Sequence, residues 1–287
     1  MSDDRGPVVQ QALLIQQLIA LRNERHLTQE QVGKELGWSE AKVMRFEGGS
    51  QVLPLRMLED LLSLYQVARK PLGQRLRQLG EAARQSAWWD PYRKLMTPNY
   101  RRFVGFEAGA DRILQVQNGV IPGLLQTREY AYWIIKAWEE QDLVEPLLDI
   151  RMRRQSWIGT RTPRPRQTYL LDETVFRKKM GASEGGLMSR QLHHLLALAK
   201  APEIEIRVLP DGYGSHFGLK SGSFILLEFD NGLDPVLYSE QFNTCKLTNK
   251  KDDTEPYAEI FAEALDVDSL SPEESLTLIA EYACGAK

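Results

Sequence analysis

Apolar residues recur at helical spacing from Val9 through Ala12, Leu13, Ile15, Leu18 and Ile19 to Leu21, which predicts a first helix. Thr28 followed by Gln31 three residues later has the form of a capping box. A second helix is therefore predicted from there to about Leu36, with Val32 and Leu36 facing inward. Gly37 supplies a left-handed turn, and Ser39 stands as a second N-cap. A third helix then runs from Glu40 to Glu47 on Val43 and Phe46. Gly48-Gly49-Ser50 ends it, and Pro54 opens a fourth helix to about Tyr65. Two short helices across a glycine turn are what helix-turn-helix geometry requires, and its second helix presents its first turn to the major groove of DNA.

Beyond this head, Pro71 opens a stripe of Leu72, Leu76, Leu79 and Ala83. It predicts an amphipathic helix that packs on the head or on a second subunit. Trp88 and Trp89 end the segment, and a domain boundary is expected near residues 85–97. Phe103, Phe106, Ala110, Ile113 and Leu114 predict one further helix, and helices are also predicted over 124–138 and 142–158. Strand-like runs follow at 168–171, 204–209, 223–228 and 236–239, with helices at 173–180, 187–200, 255–264 and 272–283. Strands mixed with helices, without a strict βαβ alternation, predict an α+β domain with a small, mostly antiparallel sheet. The expected architecture is a mainly α helix-turn-helix bundle over residues 8–67, a connector helix over 68–94 and the α+β domain over 95–285. The glycine-rich loops 210–222 and 230–235 read as lining a site.

The chain has 287 residues, 43% apolar and 26% charged, the composition of a folded globular chain. Its net charge of −3 does not by itself suggest nucleic acid, but the charge is unevenly spread. Residues 5–84 hold 12 Lys/Arg against 8 Asp/Glu, whereas residues 91–287 hold 24 against 28. No run approaches the roughly 18 apolar residues that span a bilayer, and Met1-Ser2-Asp3-Asp4 lacks the pattern of a secretory signal. A cytoplasmic protein with no membrane contact is expected. Cys245 and Cys284 lack CxxC spacing, and His193 and His194 are adjacent, so neither pair points to a metal. HExxH and P-loop motifs are absent. Glu107, Asp172, Glu173, Glu240 and His216 could supply acid/base groups, but no catalytic set with readable spacing links them. The expectation is a non-enzyme without cofactor or metal.

The ordered set Leu21-Arg22, Leu27-Thr28-Gln29-Glu30-Gln31-Val32-Gly33, Leu36-Gly37-Trp38-Ser39, Lys42-Val43-Met44-Arg45-Phe46-Glu47-Gly48-Gly49 and Pro54 resembles the XRE-type helix-turn-helix of phage repressors and bacterial regulators. By position, the resemblance implies that Gln29 bonds a phosphate and that Ser39 caps the recognition helix and contacts a phosphate. It places Glu40, Ala41 and Arg45 at base edges, with Gln51 also on the DNA side. Lys42 would reach a base or a phosphate. Arg45 could bridge O6 and N7 of guanine, and Glu40 could accept from cytosine. Glu47 would be a scaffold residue bonded near the start of the motif. For Glu40, Lys42 and Arg45 a solvated helix face stays open as the alternative.

A second ordered set runs Val120-Ile121-Pro122-Gly123-Leu124-Leu125-Gln126-Thr127-Arg128-Glu129-Tyr130-Ala131, Arg151, Arg154-Gln155, Leu171-Asp172-Glu173, Val208-Leu209-Pro210, Gly222-Ser223-Phe224, Val236, Tyr238-Ser239-Glu240 and Leu270-Ser271-Pro272-Glu273-Glu274-Ser275. It resembles the domain of uncharacterised function found behind an XRE head in WhiJ-like and antitoxin-like regulators of filamentous spore-forming bacteria. The resemblance implies transcriptional control beside a small acidic partner protein. Glu107, Gln126, Arg154, Glu173, His216 and Glu240 are the candidate effector or partner residues. Residues 151–166 carry six Arg and no acid, open as a solvated face, an acidic-partner site or an extra phosphate contact. The function expected is a repressor, a homodimer on an inverted-repeat operator, whose C-terminal domain oligomerises and senses a protein or small molecule. The alternative is an antitoxin-like protein that sequesters a small partner and autoregulates its operon.

Overall fold

The computed structural model describes residues 5–178, 180–181, 185–211, 222–241 and 244–285. The chain divides into two compact units, Met1–Asp90 with Asp230–Leu233, and Pro91–Phe229 with Asp234–Lys287.

The first unit is helical: α1 Pro7–Glu24, α2 Gln29–Leu36, α3 Glu40–Glu47, α4 Leu55–Leu64 and α5 Pro71–Ala82. The capping box forms as its sequence requires. Thr28 Oγ1 accepts from the Gln31 N–H at 3.1 Å, and Gln31 Oε1 accepts from the Thr28 N–H at 2.8 Å. Gly37 then turns the chain at φ 65°, in the left-handed region. Ser39 occupies the N-cap position of α3, but its hydroxyl makes no capping hydrogen bond. All five helices share one core of Leu14, Leu18, Leu21, Val32, Val43, Phe46, Leu58, Leu61, Leu62 and Leu76 among others. The amphipathic helix α5 packs on α1 and α4. It buries Leu76 and ties Arg77 to Glu59, Nη2 to Oε2, at 2.7 Å.

The second unit is built on a six-stranded mixed sheet in the order β3-β2-β1-β4-β5-β6. Its strands are β1 Arg112–Gln117, β2 Arg166–Asp172, β3 Ile204–Leu209, β4 Phe224–Glu228, β5 Val236–Gln241 and β6 Thr244–Thr248. β1–β2 and β2–β3 are parallel, and the other three pairings are antiparallel. The helices of this unit are α6 Pro98–Gly109, α7 Arg128–Trp138, α8 Gln141–Thr160, α9 Leu187–Leu198, α10 Lys251–Glu263 and α11 Pro272–Ala283. The two parallel pairings are each reached through helices, as a crossover requires.

The α+β class and the mostly antiparallel sheet agree with the sequence pattern, but several elements do not. Ile113 and Leu114, read as the end of a helix, lie on β1, the strand between β2 and β4. The chain leaves α6 at Ala110, whose ψ of 148° is extended. They fall at i+7 and i+8 from Phe106 and at i+3 and i+4 from Ala110, which mimics a helix, and a six-residue strand is too short to reveal its own period. Residues 124–127 fall in a 3-10 turn, Gly123–Leu125, and the Thr127 cap, so α7 begins only at Arg128. The predicted helix over 173–180 is a short 3-10 turn, Glu173–Arg177. Helix α10 starts at Lys251, earlier than its apolar stripe suggested, and β6 was not foreseen.

Gly33 marks the closest approach between α2 and the turn into α3. The Trp38 N–H donates to the Gly33 carbonyl at 2.7 Å, and a Cβ built on Gly33 would stand 2.8 Å from the Trp38 carbonyl oxygen. That neighbour is backbone and cannot rotate away. Gly33→Ala should therefore cost the head about 1–3 kcal/mol. Denaturant titration of the full chain, read by amide exchange in α2 and α3, checks this; unchanged protection there would show that the backbone yields.

Candidate functional site

Two sites emerge, one in each unit. In the head, Val43 and Phe46 anchor α3 in the core, so Glu40, Ala41, Met44 and Arg45 share its outward face and are exposed. Gln51, just beyond α3, is also exposed, and its carbonyl accepts from Gln11 at 3.1 Å. Lys42 lies to one side, with its ammonium 4.7 Å from the centre of the Trp38 ring, which meets Phe46 edge-on. The aim of α3 is fixed by Glu47. Its side chain is only 5% exposed and accepts from Arg22 Nε at 2.7 Å and Nη2 at 3.1 Å. It also accepts from Gln29 Nε2 at 2.7 Å. One carboxylate thus joins α1, the start of α2 and the end of α3. The Gln29 amide, expected on a phosphate, spends one donor on this internal contact.

In the second unit, α8 meets α6 through Arg154 and Glu107, whose side chains are 7% and 2% exposed. Arg154 Nε and Nη2 donate to the two Glu107 oxygens at 2.8 and 2.7 Å, a bidentate pair, and Nη1 donates to Tyr100 Oη at 2.9 Å. Burial works against the Arg154 charge, yet the Glu107 carboxylate beside it holds the guanidinium pKa well above its usual range. One turn earlier on α8, Arg151 Nη1 donates to Gln126 Oε1 at 2.6 Å. Its Nε is buried and has no hydrogen-bond partner. Burial pulls the pKa of Arg151 down, with the nearby Arg154 charge adding to the effect.

These groups border a cavity of about 270 Å³. Its sheet-side lining includes Gln115 and Gln117 on β1, Ile225 on β4, and Tyr238 and Glu240 on β5. Phe103 of α6 stacks on Tyr238 at 4.0 Å between ring centres. The Tyr238 hydroxyl donates to Glu240, which sits exposed. The remaining wall, residues 121–126, is pinned from several directions. Gln155 donates to the carbonyls of Gly123 and Gln126, both at 2.8 Å. Gln126 donates to the Ile121 carbonyl at 2.7 Å, and Gln191 donates to the Leu125 carbonyl at 2.7 Å.

Of the effector candidates, Gln126, Arg154 and Glu240 line this cavity, and Glu107 stands directly behind Arg154. Glu173 does not line it. It accepts from Tyr282 at 2.6 Å, Arg177 at 3.0 Å and the Asp211 N–H at 3.0 Å. Burial opposes its charge, but these donors hold its carboxyl below the usual range. His216, with most of the loop 210–222, lies outside the described residues. The arginine-rich stretch does not form one patch. Arg154 is buried in its pair, Arg151 faces the cavity, Arg153 covers the Tyr92 ring and Arg161 donates to the Ala110 carbonyl. Tyr100, Gln115 and Gln117 were not singled out from sequence, and Arg151 and Tyr238 entered only through the ordered resemblance set and, for Arg151, the basic run. The one signal was Gln at alternate positions of β1, which the helical reading of that segment hid. Among the described residues no cluster of His, Cys, Asp and Glu could hold a metal, and no helix is long and apolar enough to cross a membrane.

The helix-turn-helix domain family matches residues 14–72, and the family described as a domain of unknown function, DUF5753, matches residues 100–281. No curated protein and no solved structure matches the chain.

Replacing Glu107 by Gln would leave the Arg154 charge buried without its counter-ion, which costs about 3–5 kcal/mol. Replacing both residues together, as Glu107→Leu with Arg154→Met, should be far milder. Denaturation midpoints of the three chains measure the difference. Equal losses for the single and double variants would contradict the pairing.

Proposed function

The chain belongs to the DUF5753 family and carries a helix-turn-helix head, and we propose that it is a sequence-specific transcriptional repressor of the XRE type. The observation that carries this reading is the outward face of α3. Glu40, Ala41, Met44 and Arg45 are free of the core while Glu47 locks the helix to α1 and α2. A reading helix must be both exposed and rigidly aimed, because bidentate base contacts tolerate little error. Arg45 reads guanine, Lys42 and Ser39 meet the backbone, and the second N–H of the Gln29 amide reaches a phosphate. One head of this size offers too little surface for tight binding, so the protein acts as a homodimer on an inverted repeat with half-sites about one helical turn apart. It works in the cytoplasm and has no catalytic role. The second unit senses an effector, and the concave cavity supports a small molecule over a protein surface. Such an effector releases the operator only by binding the DNA-free arrangement more tightly.

Selection of the full chain on random duplex DNA, followed by titration at several salt concentrations, tests this. An enriched inverted repeat bound far above scrambled DNA is expected; binding without sequence preference that simply fades with salt would overturn it. On the selected operator, Arg45→Ala should cost about 1–3 kcal/mol and relax specificity at one base position. Gln29→Ala should weaken all sequences alike, and a loss confined to one base would contradict its phosphate role.

A further inference from the structure

We infer that the cavity of the second unit binds a small monocarboxylate with an apolar body, and that Arg151 holds the carboxylate. This deepens the sensing role proposed above by naming the class of ligand.

The first observation is the incomplete bonding of Arg151. Nη1 is committed to Gln126, while Nε is buried without an acceptor. Among the described residues no carboxylate lies within ion-pair distance of it. A buried donor on a cation is costly to leave unmade, and native proteins rarely do so without a reason. Nε lies beside Gly123: a Cβ there would stand 3.9 Å from it, and both residues line the cavity. The Arg151 side chain is part of the lining, so an acceptor bound in the cavity meets its guanidinium.

The charge balance selects one negative charge. Arg154, the other guanidinium in the lining, is already neutralised by Glu107. Glu240 stands at the exposed edge of the lining and acts electrostatically on Arg151. With a single open cation and a carboxylate nearby, a dianionic phosphate is disfavoured and a monoanion is not. A planar carboxylate also matches the geometry of a guanidinium edge.

Shape and lining supply the rest. Phe103 stacked on Tyr238, with Ile134, Trp138 and Ile225, offers apolar contact. A cavity of about 150 Å³ accepts benzene, so about 270 Å³ accommodates roughly twice that, on the order of a dozen non-hydrogen atoms. Gln115 and Gln117 are bonded to each other, Nε2 to Oε1 at 3.0 Å. The outer N–H of the Gln117 amide remains for a polar group on the ligand. The wall at residues 121–126 is already pinned by Gln155, Gln126 and Gln191, so little ordering is lost on binding.

The test uses the full chain without DNA, so failure of operator selection and failure here are distinguishable. Benzoate, phenylacetate, 3-phenylpropionate and 3-methylbutyrate are titrated calorimetrically, each against its amide, with inorganic phosphate alongside. At least one acid should bind saturably, one per chain and at least tenfold tighter than its amide, and phosphate should not displace it. Arg151→Gln should abolish the preference for the acid. Because that variant also loses the Gln126 contact, Glu240→Gln provides a second readout. It removes an exposed competing charge and should raise the preference for the acid over its amide about threefold. Acid and amide binding alike, no acid binding, displacement by phosphate, or an Arg151→Gln chain that keeps its preference would each overturn the inference.

Discussion

Arg154 and Glu107 place opposite full charges where almost no water reaches, and a charge in such a place survives only if its donors and acceptors are answered. Both Glu107 oxygens and all three Arg154 nitrogens are engaged, the third by the Tyr100 hydroxyl. That requirement fixes α8 on α6 in one register. With Arg154 so placed, Arg151 one turn earlier comes over residues 121–126 and Gln155 reaches the carbonyls of the same segment. A well-packed apolar pair in the same volume would serve stability as well. What an apolar pair could not do is set a rigid row of polar groups along one side of a cavity.

The sheet beneath that cavity makes the same distinction in its two faces. On one face Val116, Leu170, Leu209, Phe224, Leu226 and Leu237 meet Phe261 of α10 and form an ordinary apolar layer. On the other face the row Tyr169, Gln115, Ile225 and Tyr238 runs through the register, and Gln167 and Gln117 lie two residues from Tyr169 and Gln115. Gln115 and Gln167 are buried, so each needs an internal partner, and each has one, in Gln117 and in the Tyr169 hydroxyl. Burying amides without such bonding would be costly. A face that carries them beneath helices is arranged for more than closure of a core.

Much of this was legible in the sequence, and the parts that were not share a cause. The capping box at Thr28, the glycine at 37 and the inward pair Val43 and Phe46 are local signals, and the structure bears them out residue by residue. Strands β3 and β4 and helix α11 were equally readable, because their apolar runs are bounded by turn residues. Strand β1 was not, because Ile113 and Leu114 continue the spacing of Phe103, Phe106 and Ala110 across a break that only the backbone at Ala110 reveals. With β1 misread, Gln115 and Gln117 could not be placed on a sheet face. Arg154 stood out as a candidate through the resemblance and Arg151 as a member of the same set and of a basic run, but nothing in the sequence says that Glu107, 47 residues before Arg154, neutralises one and leaves the other open.

In the head the corresponding role falls to Glu47. Its carboxylate is shared between Arg22 and Gln29, so the position of α3 depends on both α1 and the first residue of α2. Arg22 is itself tied to the Leu27 carbonyl at 2.9 Å, which closes the link between the end of α1 and the entry to α2. The amide of Gln29 has two N–H groups, and only one is spent on Glu47. A phosphate contact and a scaffold contact by the same side chain are therefore compatible, and the internal bond orients the amide before DNA arrives. An arginine such as Arg45 reads a base only if the helix beneath it is held in place. On the proposed reading, the buried carboxylate of Glu47 is then as much a part of recognition as the side chains on the outward face of α3.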